Sequence, residues 1–334
     1  MHQEHSVSLM NFGGLPYKTK QFFVVLIKLS IVVGAFYFIY TKLTNNDSLD
    51  FNTFLLFLRE NGVLSLKNTL ILLLLTGFNW FFEILKWQIL VGFIKPISFK
   101  NALKQTLGAL TASLITPNRI GDYGAKAVFY PKKLRKKVML LNFTGNIIQM
   151  SITTVFGCIG LYVLHSTYGI NFNFFRMSRF LTAIGVITIL TVFGLKQDKY
   201  RIKGFSVEHL ITFFKNIPTN IVGSTVLFAF IRYLIFSFQF YFLLHIFKTH
   251  LSYCEAMTFI TSMYLLASLI PSIFIFDVLV RGSLAVYLFS ILGIDELTIL
   301  SIIMLMWLLN FMIPSLFGSY FVLNFKFPKP NRKL

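Results

Sequence analysis

Two cysteines in 334 residues, Cys158 and Cys254, are too few and too far apart for a disulfide framework or a Cys-based metal site. The six histidines (His2, His5, His165, His209, His245 and His250) converge at no metal-ligand spacing. Neither a Walker-type glycine-rich phosphate loop nor a Gly-x-Ser-x-Gly elbow is present. These absences leave no nucleophile, cofactor or metal to build an active centre on, so the chain reads as a non-enzyme. Acids are scarce as well: 12 Asp and Glu stand against 31 Lys and Arg, for a net charge of +19. No basic run is interleaved with aromatics on an exposed face, which argues against nucleic acid as the partner of that charge.

Apolar side chains are what the sequence has in excess. They make up 56% of the chain, 40 of them are Phe, charged residues reach only 13%, and mean hydropathy is +0.72. Soluble domains sit near 45–50% apolar, so the composition is that of an integral membrane protein. Runs long enough to cross a bilayer occur near 22–40, 68–94, 138–164, 179–195, 220–247 and 297–323. Residues 1–21 are polar and carry Lys18 and Lys20, and they read as a cytoplasmic tail without a cleavable signal.

Two further apolar stretches, 100–130 and 254–292, are interrupted near their middles by Pro117 and Pro271. Each half is short. A helix of about 16 residues covers roughly 24 Å, less than the roughly 30 Å of hydrocarbon. Each stretch is expected to be a helical hairpin that enters and returns on one side, the alternative being two short tilted spans. Polar connectors separate the runs, with a surface helix expected within 41–65 and an interfacial helix within 196–218.

The basic residues orient the chain. With the N-terminus inside, Lys95 and Lys100, the cluster Lys132, Lys133, Arg135, Lys136 and Lys137, the basic stretch 196–218 and the tail 326–334 all fall on the cytoplasmic side. The opposite orientation puts every strong basic cluster outside.

An internal repeat emerges at a shift of 155 residues. "LTASLITPNRIGDYGAK" (110–126) matches "LLASLIPSIFIFDVLVR" (265–281) at seven of 17 positions, including Asp122 with Asp277, and Lys126 falls on Arg281. Chance in so apolar a chain gives about one or two matches. The surroundings repeat too: long helix, broken hairpin, long helix, over units of about 66–164 and 219–325. An odd number of crossings separates the units, so they are expected to be inverted, with broken helices meeting near the midplane. The expected fold is therefore all-α and polytopic, with about six full transmembrane helices, two broken hairpins and an inverted repeat.

Charges inside such a frame are candidate sites. A carboxylate in a membrane hairpin costs several kcal/mol unless paired or hydrated. Asp122 and Asp277 each have a cation one helical turn on, Lys126 and Arg281. They read either as parts of a charged cavity for a phosphate headgroup or as ion pairs that pin the hairpin. Arg119 follows the Pro117–Asn118 turn and suits bidentate phosphate contact, while Gly121 and Gly124 allow close backbone approach. Glu83 and Lys86, near Trp80 and Trp87, sit at i,i+3 in the second crossing; Lys86 either joins Glu83 at the cavity or snorkels. Arg232 lies too deep in the fifth crossing to snorkel easily and is assigned to the cavity, with Gln239 nearby. Asn142, Asn146 and Gln149 form a polar stripe read as interhelical glue.

"TPNRIGDYGAK", placed after an apolar helix and before a basic loop, resembles the membrane region of the lysylphosphatidylglycerol synthase/flippase family. That family typically shows Pro-Gly-Arg-Ile/Val-Gly-Glu where this chain has Pro117-Asn118-Arg119-Ile120-Gly121-Asp122, with Asn for Gly and Asp for Glu. A second family motif is similar to the stretch from Pro271 to Arg281-Gly282, without its glycines and with Gly282 in place of the acid. The resemblance spans roughly 20–325. It implies a multi-pass protein of the bacterial inner membrane that moves a lipid or lipid-linked headgroup between leaflets; the candidate cations Arg119, Lys126 and Arg281 add the expectation that this lipid is anionic. A soluble aminoacyl-transferase domain is not expected in these 334 residues, so lysyl transfer is not implied. Other partners consistent with this picture are a second copy of the chain or a protein of envelope synthesis. Two rival functions stay open: an intramembrane enzyme acting on a lipid headgroup, and a non-transporting accessory protein.

Overall fold

The computed structural model describes residue 33 and residues 51–114, 116, 121–169, 212–270 and 274–325; for 51–53 and 274–279 it describes the backbone alone. The expected crossings at 22–40 (Val33 apart) and 179–195, most of the expected interfacial helix, both tails and the prolines Pro117 and Pro271 lie outside these residues. Among the described residues there are helices and no strands. Four helices among the described residues are long and apolar enough to cross a membrane: α2 (Leu66–Gly92), α5 (Lys132–Tyr168), α6 (Thr219–Ile246) and α9 (Glu296–Leu323). Between them lie α3 (Phe99–Ser113), α4 (Gly121–Val128), α7 (Tyr253–Leu269) and α8 (Phe274–Ser290), preceded by α1 (Phe51–Glu60).

Local chemistry sets the boundaries. Ser65, Ser98 and Ser252 stand one residue before α2, α3 and α7, and each side chain accepts from the backbone N–H three residues on. Asp295 does the same for α9, accepting from the Thr298 N–H at 3.2 Å. Pro131 and Pro218 precede α5 and α6, where a missing N–H costs nothing. At the start of α4 the Gly121 N–H donates to Thr116 Oγ1 at 2.9 Å, and a Cβ at Gly121 would crowd that same hydroxyl and the Ala112 carbonyl. α3 and α4 have 15 and 8 residues, hence lengths of about 22 and 12 Å, whereas the 37 residues of α5 extend about 55 Å. The first turns of α5, which carry Lys132, Lys133, Arg135, Lys136 and Lys137, thus have length to spare beyond a hydrocarbon core.

α9 changes register midway. Pro314 has no N–H to give the carbonyl four residues back, which is that of Asn310. The helix widens there into a π-turn, Leu308–Met312, and the Ile313 N–H reaches back to Leu308. The freed Asn310 carbonyl accepts from Trp80 Nε1 on α2 at 3.2 Å.

Packing is reciprocal. α2 pairs with α6, α3 packs on the C-terminal half of α9, and α7 packs on α5. Across α2 and α6, Thr76 pairs with Gln239 and the later residue Glu83 with the earlier residue Arg232, so these two helices run antiparallel. Both exchanged contacts use small residues. Gly157 and Gly160 of α5 lie against Leu265, Thr261 and Ser262 of α7, and Gly318 of α9 lies on the Leu107 backbone and Thr111 of α3. Thr111 Oγ1 also donates to the Ser315 carbonyl at 2.9 Å. Of these four, α9 is the most interior, with two-thirds of its most apolar stretch buried, against 22% for α2, α5 and α6. Those three turn aliphatic and aromatic faces outward, among them Leu70, Leu74, Ile159 and Leu227.

A Cβ at Gly318 has no room beside the Leu107 backbone, and one at Gly160 would lie 2.9 Å from the Thr258 carbonyl. Gly318→Ala and Gly160→Val are expected to lower stability by about 1–3 kcal/mol. Gly77→Ala, with open space around it, is expected to be neutral or stabilising by up to about 1 kcal/mol. Thermal unfolding of the purified protein in detergent checks both.

Candidate functional site: an ion-lined cavity among the helices

The site grows from α2. Its helical spacing puts Asn79, Glu83 and Lys86 on one buried stripe, with Asn79 and Glu83 at the wall of a cavity and Lys86 behind them. Glu83 meets two cations at once: Lys86 Nζ at 2.6 Å and Arg232 Nη1, from α6, at 2.7 Å. Both converge on Oε2, so one carboxylate oxygen holds two cations. Lys86 is only 3% exposed and does not snorkel.

Arg232 then turns to neutral partners. Its Nε donates to Asn79 Oδ1 at 3.0 Å, and Asn79 Nδ2 donates to Asn310 Oδ1 at 2.7 Å. Asn310 Nδ2 donates to Gln239 Oε1 at 2.9 Å, and Gln239 Nε2 donates to Thr76 Oγ1 at 2.9 Å. This chain of amides ties α2, α6 and the π-turn of α9 together. Each member needs the others, because an unmet amide in this interior is costly.

A second cluster forms where α4 leans on α5. Lys126 Nζ lies 3.3 Å from Asp122 Oδ2, 2.8 Å from Asn142 Oδ1 and 4.7 Å from the Trp87 ring centre. Asn142 Nδ2 also donates to Asp122 Oδ2, closing a triangle. Behind it Gln105 Oε1 accepts from Trp87 Nε1 and from the Tyr130 hydroxyl, both at 2.9 Å. Tyr130 belongs to the connection between α4 and α5; burial pushes its hydroxyl up to about 12, so it stays a donor at physiological pH. One turn along α5, Asn146 Nδ2 donates to the Tyr123 hydroxyl at 2.8 Å.

Both clusters face one cavity of about 430 Å³. Glu83, Asp122, Lys126, Arg232 and Arg281 all line it, so five of the eight charged residues singled out from sequence come together, and Lys86 pairs with Glu83 behind the wall. Arg119 and the Asp277 side chain lie outside the described residues, as do the breaks at Pro117 and Pro271; Gly121 opens α4 beside the cavity residue Asp122. Lys126 is spoken for by three partners and almost fully buried, whereas the Arg232 side chain keeps 24% of its surface exposed. Arg232 is therefore the cation better placed to greet an incoming anion, with Lys126 shaping the wall.

Sequence reasoning missed Asn79 and Asn310, which lie in runs read simply as membrane spans. Asn310 had a signal: a proline four residues on, which predicts a freed carbonyl and a widened turn. The stripe Asn142, Asn146 and Gln149 does hold helices together, but Asn146 and Gln149 also line the cavity. Among the described residues no three His, Cys, Asp or Glu side chains gather as a metal site. The chain matches no known protein-family model, no curated protein and no solved structure.

Removing Glu83's charge leaves Lys86 and Arg232 facing each other with no anion between them. Glu83→Gln is expected to cost about 3–5 kcal/mol, and Glu83→Gln combined with Lys86→Met to recover part of it. Thermal unfolding of the three proteins in detergent is the check.

Proposed function

We propose that the protein is a translocator that moves an anionic lipid or lipid-linked headgroup between leaflets through this cavity. The observation that carries the reading is a cation-rich chamber enclosed by helices whose outer faces are apolar. Three cations and two carboxylates line it, and such groups at membrane depth mark substrate pathways.

In this reading α3–α4 and α7–α8 are the broken hairpins of two inverted units. The antiparallel pairing of α2 with α6 and the reciprocal packing of α3 on α9 and α7 on α5 support that symmetry. Six crossings with both termini cytoplasmic complete the topology, in the inner membrane of a bacterium. The likeness of residues 117–122 to the lysylphosphatidylglycerol synthase/flippase motif points the same way. Arg232 and Arg281 are assigned the headgroup phosphate, with Arg119 assigned to it on its motif alone, and Asp122 and Asp277 the setting of the local charge.

Proteoliposomes carrying tail-labelled anionic phospholipid test this by the rate at which label becomes accessible to an impermeant quencher. Arg232→Ala is expected to slow transfer roughly tenfold, the loss of one charge-assisted contact. Asp122→Asn is expected to slow it as well. Unchanged transfer in both variants overturns the assignment of the site.

A further inference from the structure

Glu83 faces two cations although one would neutralise it. Lys86 Nζ and Arg232 Nη1 both lie against its Oε2, at 2.6 and 2.7 Å. Among the described residues neither cation pairs with another carboxylate, whereas Asp122 and Lys126 cancel each other. The Glu83 cluster therefore carries one surplus positive charge. Burying an additional ammonium is costly, so Lys86 requires a reason.

Lys86 does not line the chamber. Glu83 and Arg232 do, and Lys86 stands behind Glu83, almost fully buried. Glu83 thus sits between a hidden cation and an open one.

The commitments of the Arg232 guanidinium decide what an arriving anion displaces. A phosphate offers two oxygens to a guanidinium either side-on, at Nε and one Nη, or end-on, at both Nη. Side-on contact needs the Nε–H that donates to Asn79 Oδ1 at 3.0 Å. Asn79 is buried, and losing that donor strands its carbonyl oxygen. End-on contact needs Nη1, where the Glu83 carboxylate already lies. Two anions at one nitrogen repel each other strongly. Glu83 is the partner that can yield, because Lys86 still holds it. Asn79 Oδ1 has no such reserve among the described residues.

We infer that an incoming phosphate exchanges places with Glu83 at Arg232 Nη1, and that Lys86 is the positioning residue that permits the exchange by keeping the displaced carboxylate paired. Arg232 stays anchored to Asn79 through Nε, and the ligand's own charge cancels the surplus of the cluster. This rests on the translocator reading for its setting and adds how the anion is admitted. The chemistry required is a phosphate anion, carried by a lipid headgroup or free in water.

Equilibrium binding to the full chain in phosphatidylcholine nanodiscs tests this without calling on transport. The probes are tail-labelled phosphatidylglycerol and radiolabelled inorganic phosphate. Lys86→Met, or Lys86→Gln where the polar replacement folds better, leaves Glu83 and Arg232 as a closed neutral pair and is expected to weaken binding about tenfold. Glu83→Gln combined with Lys86→Met removes the competing carboxylate as well and is expected to restore binding at least to the level of the unmodified chain. This pattern with phosphatidylglycerol alone supports exchange at a lipid headgroup, and the same pattern with inorganic phosphate supports exchange with the free ion. A Lys86 that serves only the fold shifts thermal unfolding and leaves the affinity unchanged, which overturns the inference. A double variant that binds as weakly as Lys86→Met overturns it too, as does an unmodified chain that binds neither probe. If the pattern holds but proteoliposomes move no lipid, the exchange stands and the translocator reading fails.

Discussion

A charge held inside a membrane protein must find an opposite charge or leave, and the architecture here is arranged around that rule. Glu83 is the anion that lets two cations, Lys86 and Arg232, remain in the interior. Through Arg232 the pairing reaches Asn79, Asn310 and Gln239, and so binds α2, α6 and α9 at one level of the bundle. The Lys126, Asp122 and Asn142 triangle does the same for α4 and α5. Between the two clusters the helices do not close, and the space left is the cavity.

The backbone supports this polar centre with small irregularities. Pro314 opens α9 into a π-turn, which turns a helix carbonyl into an acceptor for Trp80 and sets Asn310 within reach of two helices. Gly121 lets α4 begin tight against Thr116 and Ala112, which starts the turn that carries Asp122 and Lys126. Glycines at the α5–α7 and α3–α9 contacts bring backbones close where no hydrophobic driving force acts between membrane helices. Irregular backbone among apolar helices survives where protein or a wet cavity satisfies it.

Much of the frame was legible in the sequence because apolar length is a strong signal: the runs at 68–94, 138–164, 220–247 and 297–323 match α2, α5, α6 and α9 within a few residues. The charged candidates were legible because an ionised group in an apolar run is conspicuous. The amides were not. Asn79 and Asn310 lie 231 residues apart, and a single Asn in a long span looks like a tolerated defect until the partner is placed against it. The division of labour among the cations was also illegible, since spacing pairs Asp122 with Lys126 but says nothing of Asn142 or the Trp87 ring. Only the packed helices distinguish an almost fully buried lysine from an arginine that keeps 24% of its side chain exposed.

The central claim is that the chamber is wet and electropositive. Thr153 lines it and Val155, two residues on, faces outward. A single cysteine at Thr153→Cys, in a chain with Cys158 and Cys254 replaced by Ser, reports on it directly in membrane vesicles. The account predicts that a membrane-impermeant anionic thiosulfonate labels this site faster than its cationic counterpart, and far faster than it labels Val155→Cys. Labelling of Thr153→Cys no faster than Val155→Cys, or a preference for the cationic reagent, would contradict it.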